Sequence, residues 1–125
     1  MSTHASISVK LQNTLKPVYR SIYCHFDGYP SVTGKNLVEN FNTYDKVLEL
    51  IELGDVSFVG TTLEASETVS YWRDKNESRQ LTQPKEYDSV KELVKDDERY
   101  YDYFYVFEDG VWNLVNERTY ELKPL

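Results

Sequence analysis

Apolar and polar residues alternate twice near the amino terminus. Ile7, Val9 and Leu11 are separated by Ser8 and Lys10, and Ile22, Cys24 and Phe26 by Tyr23 and His25. A period of two marks a strand with one buried face, so the two runs, joined by a turn-forming stretch at 13–17, read as a hairpin. Asp27-Gly28-Tyr29-Pro30 should end its second strand, glycine by accepting positive φ and proline by offering no N–H to the ladder.

The period then changes. Leu37, Val38 and Phe41, and after them Val47, Leu48, Leu50 and Ile51, recur at three- and four-residue intervals. That spacing predicts a short helix, a break at Asn42-Thr43, and a longer helix over 44–53 with Thr43 as its cap and Gly54 just past its end. Residues 55–59 and 68–72 read as strands, and 75–85 as an exposed loop. Asp88 is positioned to cap a helix over 89–95. Asp109-Gly110, between the β-rich runs 100–107 and Val111–Val115, predicts a type I′ hairpin with Phe107 facing Trp112 and Tyr105 facing Leu114.

This order of elements predicts one α+β domain: a mostly antiparallel sheet of five to six strands with two to three helices packed on one face. Residues 44–51 and 87–94 share Tyr, Asp, Val, Glu and Leu at equivalent positions, which reads either as duplication or as two helices with the same ordinary pattern.

Composition narrows the function classes. A chain of 125 residues suits a single domain. With 21 acidic against 14 basic residues its net charge is −7, which disfavours a phosphate-backbone partner, so nucleic acid is not expected. The single cysteine, Cys24, forms no intrachain disulfide and fits a reducing compartment. The opening MSTHASISVK has no secretory pattern, and no apolar run reaches the ~18 residues of a membrane span. The expectation is a cytoplasmic protein with no membrane partner. Eleven tyrosines, five phenylalanines and two tryptophans supply amphipathic surface for a core or for a binding face.

Chemistry-bearing residues gather in Ile22-Tyr-Cys-His-Phe-Asp-Gly-Tyr-Pro-Ser-Val-Thr-Gly-Lys35. A phosphate-binding P-loop needs four residues between its glycines and Ser or Thr after its lysine; here there are five, and Asn36 follows Lys35. A simpler anion site, Lys35 with the first amides of the following helix, remains open. Cys24 and His25 point to opposite faces of a strand, so they do not form a nucleophile pair, and Cys24 reads as core. His25 and Asp27, two apart, read as an acid–base pair or, more simply, a structural hydrogen bond. No metal motif or cofactor signature is present among these residues. Tyr101, Tyr103 and Tyr105, with Tyr100, cannot share one strand face, so they read as a binding row or as a strand buried on two sides. Arg73, Arg79, Arg99 and Arg118 are scattered in sequence.

The stretch Ser21-Ile-Tyr-Cys-His-Phe-Asp-Gly-Tyr-Pro30, with Leu37, Asn42-Thr-Tyr-Asp-Lys-Val47 and Glu49-Leu-Ile-Glu-Leu-Gly-Asp55, resembles a family of small uncharacterised proteins encoded mostly by bacteriophages. The resemblance covers roughly the first 60 residues and carries over no catalytic residue. It implies a protein that acts on host machinery, antiviral defence included, by binding. The expected activity is therefore non-enzymatic: inhibition of a host protein by direct contact. The alternatives are a sponge for a nucleotide-like signal, held between subunits of a homo-oligomer, and a small hydrolase. Tyr23, His25, Asp27, Tyr29, Lys35, Tyr101, Tyr103 and Tyr105 are the candidate contacts.

Overall fold

A computed structural model describes residues 2–96 and 100–125; Arg99 lies outside the described residues. In chain order the elements are β1 (Ala5–Lys10), β2 (Tyr19–Cys24), a π-helical turn (Pro30–Gly34) running directly into α1 (Lys35–Asn40), and α2 (Tyr44–Glu52). There follow β3 (Val56–Phe58), β4 (Val69–Ser70), α3 (Tyr71–Lys75), α4 (Arg79–Thr82), β5 (Lys85–Tyr87) and α5 (Val90–Lys95). The chain ends in β6 (Tyr103–Glu108), β7 (Val111–Val115) and β8 (Leu122–Pro124).

The α+β class is as expected, but the sheet is larger and mixed. Its order is β4-β3-β2-β1-β6-β7-β8, with β5 pairing the start of β2, eight strands among the described residues. β1 is antiparallel to β2 and parallel to β6, and β3 is parallel to the end of β2. The parallel step from β2 to β3 crosses over through α1 and α2, the kind of long connection that parallel pairing requires.

Both faces of the sheet are covered, whereas the sequence pattern predicts helices on one. On the first face Ala5, Ile7 and Val9 meet Ile22, Cys24, Tyr105, Phe107 and the apolar side of α1 and α2. On the second, Tyr19, Phe104, Val106 and Val115 enclose Leu93 of α5, with Val90 and Val94 beside it. The alternating serines concealed this, because Ser6, Ser8 and Ser21 are buried rather than solvated. Their hydroxyls satisfy one another, Ser8 Oγ with Ser21 Oγ and Ser6 Oγ with Ser8 Oγ, which removes the penalty of burying them unpaired. α2 and α5, the two similar segments, consequently lie on opposite faces and share no surface.

Local chemistry explains most of the elements. Thr43 caps α2 by accepting from the Lys46 N–H at 3.3 Å. Asp109 and Gly110 have φ of 53° and 80°, the type I′ geometry, and Phe107 pairs Trp112 while Tyr105 pairs Leu114, as the turn predicts. The strand expected over 68–72 stops at Ser70, whose hydroxyl accepts from the Arg73 N–H and starts α3, so Tyr71 and Trp72 are helical. The loop expected over 75–85 contains α4, with Thr82 buried. Ser89, not Asp88, caps α5.

The second strand ends at Cys24, and the positive φ of the following turn falls on Asp27, at 55°, not on Gly28. Gly28 is required by proximity instead: a Cβ there would lie 2.8 Å from that of Ala5 and 2.9 Å from the Thr3 carbonyl oxygen. Phe26, which alternation places on the core side, is 43% exposed because β1 has no residue beneath it past the Ala5–Cys24 pair.

Gly54 combines both constraints, with φ of 74° and so little space that a Cβ would come within 2.4 Å of the Thr82 carbonyl oxygen. Gly54→Ala is therefore expected to lower stability by roughly 2 kcal/mol or more. Urea unfolding measures this, and an unchanged midpoint would mean that α4 shifts freely away from the end of α2.

Candidate functional site

The densest set of titratable side chains sits where the start of β1, the end of β2 and the approach to β6 meet. The register places Ala5 opposite Cys24 and beside Tyr103, so His4, His25 and Asp102 come together at one end of the sheet. His4 is fixed by its backbone: its N–H donates to the Asp102 carboxylate at 2.8 Å and its carbonyl accepts from the Asp102 N–H at 2.9 Å.

Tyr23 is the hub. Its hydroxyl lies 3.1 Å from His4 Nδ1 and within short hydrogen-bonding distance of His25 Nδ1. The partners assign the tautomers. His4 Nδ1 is 2.8 Å from the His25 carbonyl oxygen, which only accepts, so that nitrogen carries the proton. The Tyr23 hydroxyl then donates to His25 Nδ1, which leaves the neutral His25 ring protonated on Nε2. The imidazole centroids are 4.7 Å apart, Phe26 sets its ring edge-on to His25 at 4.4 Å, and Tyr101 packs edge-on against Tyr23 at 5.9 Å. Burial, His4 and Lys75, in that order of effect, hold His25 below its ordinary pKa.

Beside this cluster a cleft of about 240 Å³ is lined by Tyr23, Asp55, Tyr71, Glu77, Leu81 and Thr82. Asp55, nearly buried, accepts from the Tyr23 N–H at 2.9 Å and so ties the cleft to the hub. Larger openings lie beside Lys10 and Tyr44, about 360 Å³, and beside Tyr103 and Arg118, about 390 Å³; neither is lined by an imidazole.

The candidate contacts read from the sequence divide. Tyr23, His25 and Tyr101 belong to the cluster. Tyr105 does not: it is fully buried, donates its hydroxyl to the Gly28 carbonyl at 2.7 Å, and is core. Tyr103 stacks on it at 6.3 Å, half-buried on the same face, so the tyrosines form no continuous exposed row. Asp27 is exposed and takes the Tyr29 hydroxyl at 3.5 Å instead of His25, so the His25–Asp27 pair does not form. Tyr29 begins the π-helical turn. Lys35 is not at a free helix start. Its N–H is already bonded to carbonyls of the preceding turn, and its side chain borders a separate opening with Pro30, Val38 and Leu125. The Lys35 amide, the first that the anion site calls on, is therefore spent.

Cys24 is buried as expected, and burial pushes its thiol up to about 12, far from a thiolate at neutral pH. Each imidazole is bonded to the Tyr23 hydroxyl, and His4 also to the His25 carbonyl, while no serine, threonine or cysteine is bonded to either ring among the described residues. No group of three His, Cys, Asp or Glu side chains is placed to hold a metal among the described residues. What the arrangement gathers at this end of the sheet is aromatic surface, two imidazoles and carboxylates.

His4, Asp55, Tyr71, Glu77 and Asp102 escape sequence reading. His4 is recoverable only from the hairpin register, which the eight residues between β1 and β2 leave free. Tyr71 and Glu77 follow from α3, whose start the strand-like spelling of 68–72 hides. The chain matches no family model, no curated protein and no solved structure. No helix among the described residues is long and apolar enough to cross a membrane.

A histidine with a lowered pKa binds fewer protons folded than unfolded just below pH 6.5, so the stability it protects is full above that value and is lost as pH falls toward the folded pKa. His25→Gln is expected to flatten this part of the stability profile relative to wild type. In NMR titration the His25 ring should have its midpoint below 6.5, and a midpoint at or above 6.5 would refute the assignment.

Proposed function

We propose that the chain is a non-enzymatic binding protein of phage type that inhibits a host protein by direct contact, using the aromatic–imidazole end of the sheet. The observation that carries this reading is the concentration of exposed rings around the imidazole cluster. Phe26, 43% exposed, rests on His25, and Tyr100, 73% exposed, bonds to Asp102 beside His4. Trp72, 46% exposed, extends from α3, the helix that sets Tyr71 in the neighbouring cleft. Exposed aromatics bury large area on contact and have few rotamers to lose, the profile of interface hot spots.

Nucleotide capture draws less support, since it joined Lys35 to His25 and the tyrosines. Lys35 borders an opening that none of the cluster residues lines, and Tyr105 is core.

Native mass spectrometry of the protein isolated from bacterial lysate tests the reading. Wild type and Lys35→Glu are expected to retain the same host protein, and the double variant Phe26→Ala, Tyr100→Ala to lose it by about tenfold or more. A stoichiometric nucleotide-sized mass that disappears with Lys35→Glu would replace this reading with the sponge.

A further inference from the structure

We propose that the cleft between the end of β2 and helices α3 and α4 is a receptor for an arginine side chain of the partner protein. The inference rests on the binding-protein reading for its partner and adds the chemistry of the contact. The cleft presents two phenol rings, Tyr23 and Tyr71, two carboxylates, Asp55 and Glu77, and the methyl groups of Leu81 as an apolar wall. Rings attract a cation through their faces, carboxylates bind a guanidinium by charge-assisted hydrogen bonds, and an apolar wall covers the aliphatic stem. A volume of about 240 Å³ suits one long side chain, not a nucleotide.

The chain's own cations bear on the same point. Lys75 is exposed and forms no ion pair among the described residues, yet its ammonium lies over the Tyr71 ring, 5.4 Å from the centroid. Arg79 does not fill the cleft; its guanidinium stacks on Trp72 at 5.0 Å and donates to the Glu52 carbonyl at 3.1 Å. The Glu77 carboxylate has no hydrogen-bond or ion-pair partner among the described residues, whereas Asp55 is bonded to the Tyr23 N–H. Burial first, then Tyr23, Glu77, Cys24 and Asp55, raise the Tyr71 hydroxyl to about 12, so the phenol stays neutral, and of these neighbours the carboxylates Glu77 and Asp55 are the ones charged at neutral pH. The overall charge of −7 favours the approach of a basic face.

The test uses N-acetyl-arginine amide as probe and the citrulline analogue, equal in shape and uncharged, as control, followed by amide NMR on the full chain. Saturable shifts at Asp55, Tyr71, Glu77 and Leu81 are expected with the arginine probe and none with citrulline. Glu77→Gln, at an exposed position that leaves folding intact, should weaken binding by about fivefold or more. Lys75→Ala, which removes the competing ammonium, should strengthen it. Shifts that scatter over the surface acids without saturating, equal binding of citrulline, or unchanged affinity in Glu77→Gln would overturn the proposal. The two readings fail separately. Partner capture that survives Glu77→Gln but not the Phe26, Tyr100 double variant removes the arginine receptor and keeps the interface. Saturable arginine binding without any captured protein keeps the receptor and removes the interface.

Discussion

Strand β1 is the constraint on which the rest of the molecule depends. It is buried from Ala5 to Val9, and it holds β2 on one side and β6 on the other, joining the amino-terminal hairpin to the carboxyl-terminal one. Helices on one face and α5 on the other can cover it only if each of its faces carries side chains that tolerate enclosure. Ala5, Ile7 and Val9 do so by apolar packing, and Ser6 and Ser8 by being small and mutually bonded. A larger polar residue at Ser8 would have to displace Ser21 and the second-face core with it, which is why this face depends on two hydroxyls of minimal volume.

The candidate site follows from the same strand. Because β1 runs antiparallel to β2 and parallel to β6, its first turn outward lies beside the last residue of one and the first of the other. His4, His25 and Asp102 are thus neighbours although Asp102 is 98 residues from His4. Tyr23, pointing to the face opposite Cys24, reaches both imidazoles and also walls the cleft. Its placement by strand alternation is elementary, and its two roles are a consequence of the sheet order.

That division decides how far the sequence could be read. The Asp109-Gly110 turn, the cap at Thr43, the stop at Gly54 and the opposed faces of Cys24 and Tyr23 are local, and each was legible because its cause lies within a few residues. The second core, the parallel pairings, α3 and β8 were not, because they depend on partners far along the chain. Serine alternation at 6, 8 and 21 spells a wet face and proves to be a dry one. Tyr105 spells the same as Tyr101, yet one is core through Gly28 and the other packs against Tyr23, because the chain enters β6 only at Tyr103 and Tyr101 lies outside the strand's alternation.

Electrostatics gives the two halves of the site different characters. His25 is biased toward its neutral form: it loses solvent, faces His4 and feels Lys75, all of which oppose its proton. The cleft beyond Tyr23 is the reverse, with a buried carboxylate and an exposed one around two phenols. An aromatic patch next to an acidic recess can bury apolar area at its centre while leaving a charge at its edge to select the partner. Moving Asp55 into the patch would bring a carboxylate under the rings and strengthen the imidazolium instead. The tether of Asp55 to the Tyr23 backbone N–H, at 2.9 Å, holds that carboxylate at the recess instead.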